Sequence, residues 1–135
     1  MMSEKVFNFP VRVYYEDTDA GGVVYHARYL HFFERARTEY LRHLHFSQHV
    51  LLNERQVAFV VKTMNIDYCF PAKLDDLLLV ETMITEVKGA SLFFTQKLKK
   101  NELILCEATV KVACVDLGKM KPMPIPTEMK AALVS

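Results

Sequence analysis

The chain has 135 residues, 51% of them hydrophobic, and a formal net charge of +1. That length lets a fold bury roughly two thirds of the surface its unfolded chain exposes, so residues 1–135 are expected to form one domain around one core. Charges that nearly cancel argue against disorder and against the basic footprint of a nucleic-acid binder, and no stretch is apolar enough to span a bilayer as a helix.

The first segment, Met1 to Pro10, lacks the apolar run and small-residue cleavage pattern of a signal peptide, and the chain reads as cytoplasmic. From residue 7 to 15 apolar and polar positions alternate. Phe7, Phe9, Val11, Val13 and Tyr15 share one parity, which predicts a half-buried strand with Tyr15 packed toward the core. Gly21-Gly22 breaks the pattern. From Ala27 to about Phe46 the period becomes helical, with Tyr29, Phe33, Ala36, Tyr40 and Leu44 on one stripe and Arg35, Arg37, Glu39 and Arg42 on outward positions.

Strand-rich stretches follow at Val57–Phe70, Leu77–Val87, Leu92–Leu98 and Leu103–Val115, with hairpin turns expected at Gly89 and at Asn101-Glu102. In the last of them Ile104, Cys106, Ala108, Val110, Val112 and Cys114 form the inward parity. Pro71 closes the second strand, and Pro122, Pro124 and Pro126 end regular sheet near the C-terminus. The order of elements predicts an α+β fold in which an antiparallel sheet wraps one long central helix. Cys69, Cys106 and Cys114 are odd in number and lack Cys-x-x-Cys spacing, so buried reduced thiols are expected rather than disulfides or a zinc site.

Reactive groups concentrate at the junction between first strand and helix: Tyr14, Tyr15, Glu16, Asp17, Asp19 and His26 around Gly21-Gly22. Glycines allow a tight turn, and a helix start presents unpaired N–H groups to negative charge. A carboxylate beside such donors can attack an activated carbonyl or deprotonate water while the N–H groups stabilise the oxyanion. Thioesters suit this equipment, because a thiol of pKa about 8.5 leaves without a strong general acid. Acidic residues beside glycine and a helix start also commonly cap the helix or fill a turn. Residue chemistry alone leaves both roles open.

Other constellations are weaker. Neither Gly-x-Ser-x-Gly, His-Glu-x-x-His nor a Gly-rich phosphate loop occurs. His45 and His49 have i, i+4 spacing but no third ligand in view, and read as polar residues near the helix end, so no metal site is expected. Lys62 shares parity with Val60, Met64, Ile66, Tyr68 and Phe70 and so puts a cation on an apolar face. It is either a lysine snorkelling at a sheet edge or a contact for a coenzyme A phosphate.

The run from Val11 to Tyr29, containing Tyr15-Glu16-Asp17-Thr18-Asp19-Ala20-Gly21-Gly22 and His26, closely resembles the YbgC acyl-CoA thioesterases of the 4-hydroxybenzoyl-CoA thioesterase group, which have the hotdog fold. The segments Phe33–Glu39, Ala72–Asp76 and Val115–Pro122 are similar as well, so the resemblance spans nearly the whole chain. It implies hydrolysis of acyl-CoA thioesters without a cofactor. It also makes Asp19 the catalytic carboxylate, as nucleophile or general base, with Tyr15 and His26 as the other polar site residues; Asp17 reads as structural, and an exchange of roles between Asp17 and Asp19 stays open.

Some hotdog relatives carry the carboxylate on the central helix, which makes Glu34 and Glu39 competitors. The resemblance further implies a homo-oligomer, a tetramer built from dimers, and a setting in lipid or envelope metabolism near the Tol-Pal machinery. Two alternatives remain. One is a module that binds acyl carrier protein or an envelope complex with little hydrolysis; the other is a hotdog dehydratase, whose Pro-Gly-containing histidine motif this sequence lacks.

Overall fold

The computed structural model describes residues 6–46, 51, 53 and 55–134. In chain order they form β1 (Phe7–Arg12), a 3-10 turn (Tyr15–Asp17), α1 (His26–His43), β2 (Val57–Tyr68), β3 (Leu77–Lys88), β4 (Ser91–Lys100), β5 (Leu103–Asp116), β6 (Lys121–Pro122) and α2 (Thr127–Val134). The strands make one antiparallel sheet in the order β1-β3-β4-β5-β2, with β6 added to the end of β5. This is the hotdog arrangement, with α1 against the inner face.

The helix is held there by its apolar stripe. Tyr29, Phe32, Phe33, Ala36, Tyr40 and Leu41 are buried against the sheet's inward row, which includes Leu78, Val80, Ile84, Leu92, Phe94 and Leu98. Each large apolar side chain removed from water in this way contributes roughly 1.5–3 kcal/mol. The helix stops at a left-handed residue: His45 has φ 71°, its N–H donates to Arg42 O, and Phe46 N–H donates to Leu41 O. His45 is therefore an exposed helix-end residue, while His49 lies outside the described residues. Among the described residues no group of His, Cys, Asp and Glu could hold a metal ion.

Gly89 (φ 59°) and Asn101 (φ 56°) open two-residue hairpin loops, closed by the pairs Lys88–Ser91 and Lys100–Leu103, at the positions expected. The sheet curls around α1 with the help of irregularities at three places, where the pairing slips between Val61 and Thr63, Ile84 and Glu86, and Leu98 and Lys99. Two of them overturn parities read from the sequence. Phe59 and Val61 pair with Cys114 and Val112, whereas Met64 and Ile66 pair with Val110 and Ala108. The inward row thus changes parity at Lys62, which sits exposed in the bulge and does not interrupt an apolar face. In the same way β5 skips a residue at Leu105, so Leu105 and Cys106 are both buried and Ile104 leaves the inward row.

Other expectations also change. The first strand ends at Arg12 rather than residue 15, because the chain turns into a 3-10 helix, and Tyr15 is 82% exposed instead of packed in the core. Arg37, read as outward, is buried at 8% exposure. Cys106 and Cys114 are buried free thiols, but Cys69, just beyond the end of β2, is exposed. Helix α2 was not anticipated; Ile125, Met129 and Leu133, at i, i+4 and i+8, fasten this segment to the core. Among the described residues no helix is long and apolar enough to cross a membrane.

Candidate active site

The junction between β1 and α1 is built on two carboxylates with different surroundings. Asp17 is 3% exposed. Its Oδ1 accepts from Arg28 Nε at 2.9 Å and Nη2 at 2.6 Å, its Oδ2 accepts from Tyr14 N at 2.9 Å, and its backbone carbonyl accepts from Tyr25 N–H at 3.1 Å. A carboxylate so fully engaged is a staple: it ties the 3-10 turn to the first turn of α1.

Asp19 is half-buried and differently held. Its Oδ1 accepts the N–H groups of Gly21 (2.8 Å) and Val23 (3.3 Å), while its backbone pairs with Val23 and Gly22. Oδ2 accepts no hydrogen bond from a described residue. Turn geometry needs the glycines: Gly22 has φ +80°, and a Cβ on Gly21 would come within 3.3 Å of Asp19 Oδ1. From there the loop is clipped to the segment after β2 by Val24 N–H to Ala72 O and Leu74 N–H to Gly22 O.

His26 opens α1. The N-cap residue Tyr25 makes no side-chain cap, so the helix start keeps amide donors available to an external acceptor. Beside it is a cleft of about 240 Å³, lined by Val23, Val24, His26, Tyr29, Tyr68, Cys69, Phe70 and Pro71. Val23 belongs both to this wall and to the cradle of Asp19, so Asp19 and His26 are joined through one short loop. Tyr15 lies on the exposed side of that loop and donates no hydrogen bond to Asp19; its backbone carbonyl accepts from Thr18 Oγ1.

The competing carboxylates lie elsewhere. Glu39 forms an ion pair with Arg42. Glu34 borders a separate cavity of about 120 Å³ with Arg37, Thr38, Leu41, Phe59 and Val61. Lys62 lies six residues from the Tyr68 end of β2, about 20 Å along an extended strand. Sequence reasoning missed Tyr68, whose hydroxyl donates to His26 O at 3.2 Å and whose ring lies 4.5 Å from the imidazole. Its parity places it only in a row of inward apolar residues, because nothing local signals that the end of β2 returns over the start of α1.

The chain's relatives agree with this architecture. The sequence profile of the thioesterase-like superfamily matches residues 13–133. The chain is 72% identical over 131 residues to the acyl-CoA thioesterase YbgC of Haemophilus influenzae, covering 97% of this chain and 96% of that protein. It is 57% identical over 131 residues to the acyl-CoA thioester hydrolase YbgC of an Escherichia coli O6:H1 strain, covering 96% and 97%. Among solved structures, a probable thioesterase from Bartonella henselae superposes with a TM-score of 0.85 at 40% identity, over 90% of this chain and 100% of that one. A 1,4-dihydroxy-2-naphthoyl-CoA thioesterase from Synechocystis superposes with a TM-score of 0.88 at 27% identity, over 96% of each chain.

Proposed function

As a member of the thioesterase-like superfamily, and within it of the YbgC acyl-CoA thioesterases, this chain is an acyl-CoA thioester hydrolase, and we propose that Asp19 is the carboxylate at which its chemistry occurs. The observation that carries this reading is the contrast at the loop: Asp17 is consumed by Arg28 and Tyr14, whereas Asp19 has one oxygen anchored and one left open. Asp19 Oδ2 either adds to the thioester carbonyl carbon or takes a proton from the water that adds. The C–S bond then breaks with its electron pair on sulfur, giving coenzyme A thiolate and, after hydrolysis, the free acid.

Amides at the start of α1, those of His26 and Ala27, stabilise the oxyanion. The His26 side chain orients water or substrate, and Tyr15, being exposed, meets the thioester rather than Asp19. Lys62 is assigned to a coenzyme A phosphate; because of its distance from the cleft along β2, this contact requires an extended substrate or a second subunit.

A homo-oligomer, with dimers paired into a tetramer, is part of this reading. Strand β2 is a 12-residue sheet edge, with Val60 45% and Val61 46% exposed, and long apolar edges are usually covered. A monodisperse monomer with full activity in sedimentation would contradict it.

The decisive test is thiol release from short to long acyl-CoAs and acyl-carrier-protein thioesters by the wild type, Asp19→Asn and Glu34→Gln. Asp19→Asn is expected to lose about 10³-fold in kcat, and Glu34→Gln little. Normal turnover in the first with loss in the second would sink the assignment.

A further inference from the structure

We infer that Tyr68 is a positioning residue for this reaction, holding the His26 peptide and imidazole in place at the start of α1. The inference rests on the reading above that the helix start polarises the thioester carbonyl. Tyr68 is the last residue of β2, paired with Cys106, and beyond it Cys69 N–H and Phe70 N–H both turn back to Leu105 O. The side chain therefore projects from the sheet's end over the first turn of the helix. It makes three contacts there. Its hydroxyl donates to His26 O at 3.2 Å, its ring lies 4.5 Å from the His26 imidazole at 32°, and it meets the Tyr29 ring edge-on at 5.3 Å and 73°.

Each contact bears on the donors. A peptide unit is planar, so fixing the His26 carbonyl also fixes the direction of the Ala27 N–H in the same plane. The tilted ring against it restricts the imidazole to one side of the cleft that both residues line. Behind them Tyr29, 2% exposed, accepts Ala72 N–H on its hydroxyl at 3.0 Å, and Ala72 O accepts Val24 N–H at 2.9 Å. The two tyrosines thus connect the end of β2, the helix start and the loop that carries Asp19. Tyr68 itself is 42% exposed, so its truncation opens no sealed core. Partial desolvation, with Cys106 adding to it, raises the Tyr68 pKa, so the phenol stays protonated and able to donate.

The test compares Tyr68→Phe, which keeps the ring, with Tyr68→Leu, which does not, by steady-state kinetics, thermal melting and the NMR chemical shifts of the His26 imidazole. Losing one hydrogen bond should lower kcat about fivefold in Tyr68→Phe with KM held within about twofold. Losing both ring contacts as well should lower kcat about 50-fold in Tyr68→Leu and move the His26 resonances, which Tyr68→Phe leaves near their original place.

Wild-type kcat in both variants would overturn the inference, as would a rise in KM alone. So would equal losses in both variants accompanied by a matching fall in melting temperature. Asp19→Asn is run in parallel. Full turnover there withdraws the Asp19 reading, while the kcat split between Phe and Leu still judges Tyr68, because it does not depend on which carboxylate reacts.

Discussion

The start of α1 and its middle bury charge in opposite ways. At the start, Asp17 meets a full opposite charge in Arg28. At the middle, Arg37 is hydrogen-bonded to the neutral Gln96 and feels the Glu34 carboxylate only through space: Arg37 Nη1 donates to Gln96 Oε1 at 2.9 Å, and Gln96 Nε2 donates to Phe33 O at 2.9 Å and Thr82 Oγ1 at 3.0 Å. Burial pushes the Arg37 pKa down while Glu34 pulls it back up. The buried amide at the middle closes a polar circuit between helix and sheet. At the start the staple is complete too, but two residues beyond it Asp19 Oδ2 accepts no hydrogen bond from a described residue. Closed pairings give rigidity, and in the proposed mechanism the chemistry falls to Asp19, which the rigid parts hold without satisfying.

Breaking the two ends of the loop should separate these roles. Asp19→Asn should remove about 10³-fold of turnover yet change stability by no more than about 0.5 kcal/mol, since the group is partly exposed and amide oxygen can still accept from Gly21 and Val23. Arg28→Ala should do the reverse in kind: it strands a buried Asp17 charge and costs about 3 kcal/mol in urea unfolding. If Arg28→Ala proved neutral, Asp17 would not be a staple and its claim to the catalytic role would reopen.

The circuit at the middle offers a smaller, purely structural effect. Gln96→Leu leaves the Phe33 carbonyl and one Arg37 donor without their partner at a fully buried position, which should cost about 2 kcal/mol. Activity per folded molecule should stay unchanged. Smaller again is Gly22→Ala, where a side chain at φ +80° is strained whatever the space around it. About 1 kcal/mol of stability is expected to go, together with some turnover, because the same turn holds Asp19.

The sequence made the core of this legible where periods are clean. The helical stripe from Tyr29 to Tyr40 and the alternation in β5 from Cys106 onward carried the fold, and the Asp19-Ala20-Gly21-Gly22 loop between strand and helix carried the candidate site. It failed where geometry depends on a partner strand. A bulge at Lys62 reverses parity without any local residue to mark it, so Lys62 looked like a cation on an apolar face. Arg37 looked solvent-facing because charge suggests water, and the acceptor that its buried guanidinium meets, Gln96 Oε1, lies 59 residues away. Tyr68 was hidden for a similar reason, since its partner His26 lies 42 residues earlier in the chain.

The cysteines extend the same contrast between open site and closed core, with the smallest effect. Cys69 is exposed on the cleft wall, whereas Cys106 and Cys114 lie within β5. Burial pushes the Cys106 thiol up to about 12, with Cys69, Asp67 and Glu107 adding to it, and Cys114 up to about 11 against a small opposing pull from Arg55. Only a thiolate reacts with an alkylating reagent. At about pH 8 the native chain should therefore be modified at Cys69 alone, and all three cysteines only after unfolding.

The sign of the pH effect follows from raised folded-state values. The two buried thiols favour the fold while they stay neutral, so their contribution is complete below the ordinary thiol range and is lost as pH climbs through 9 toward 11 and 12. Urea midpoints should fall over that interval, and fall less in Cys106→Ala measured against its own neutral-pH value. Alkylation of two or three thiols in the native chain would show that β5 opens as readily as the cleft, and the separation between a closed core and an open site would fail.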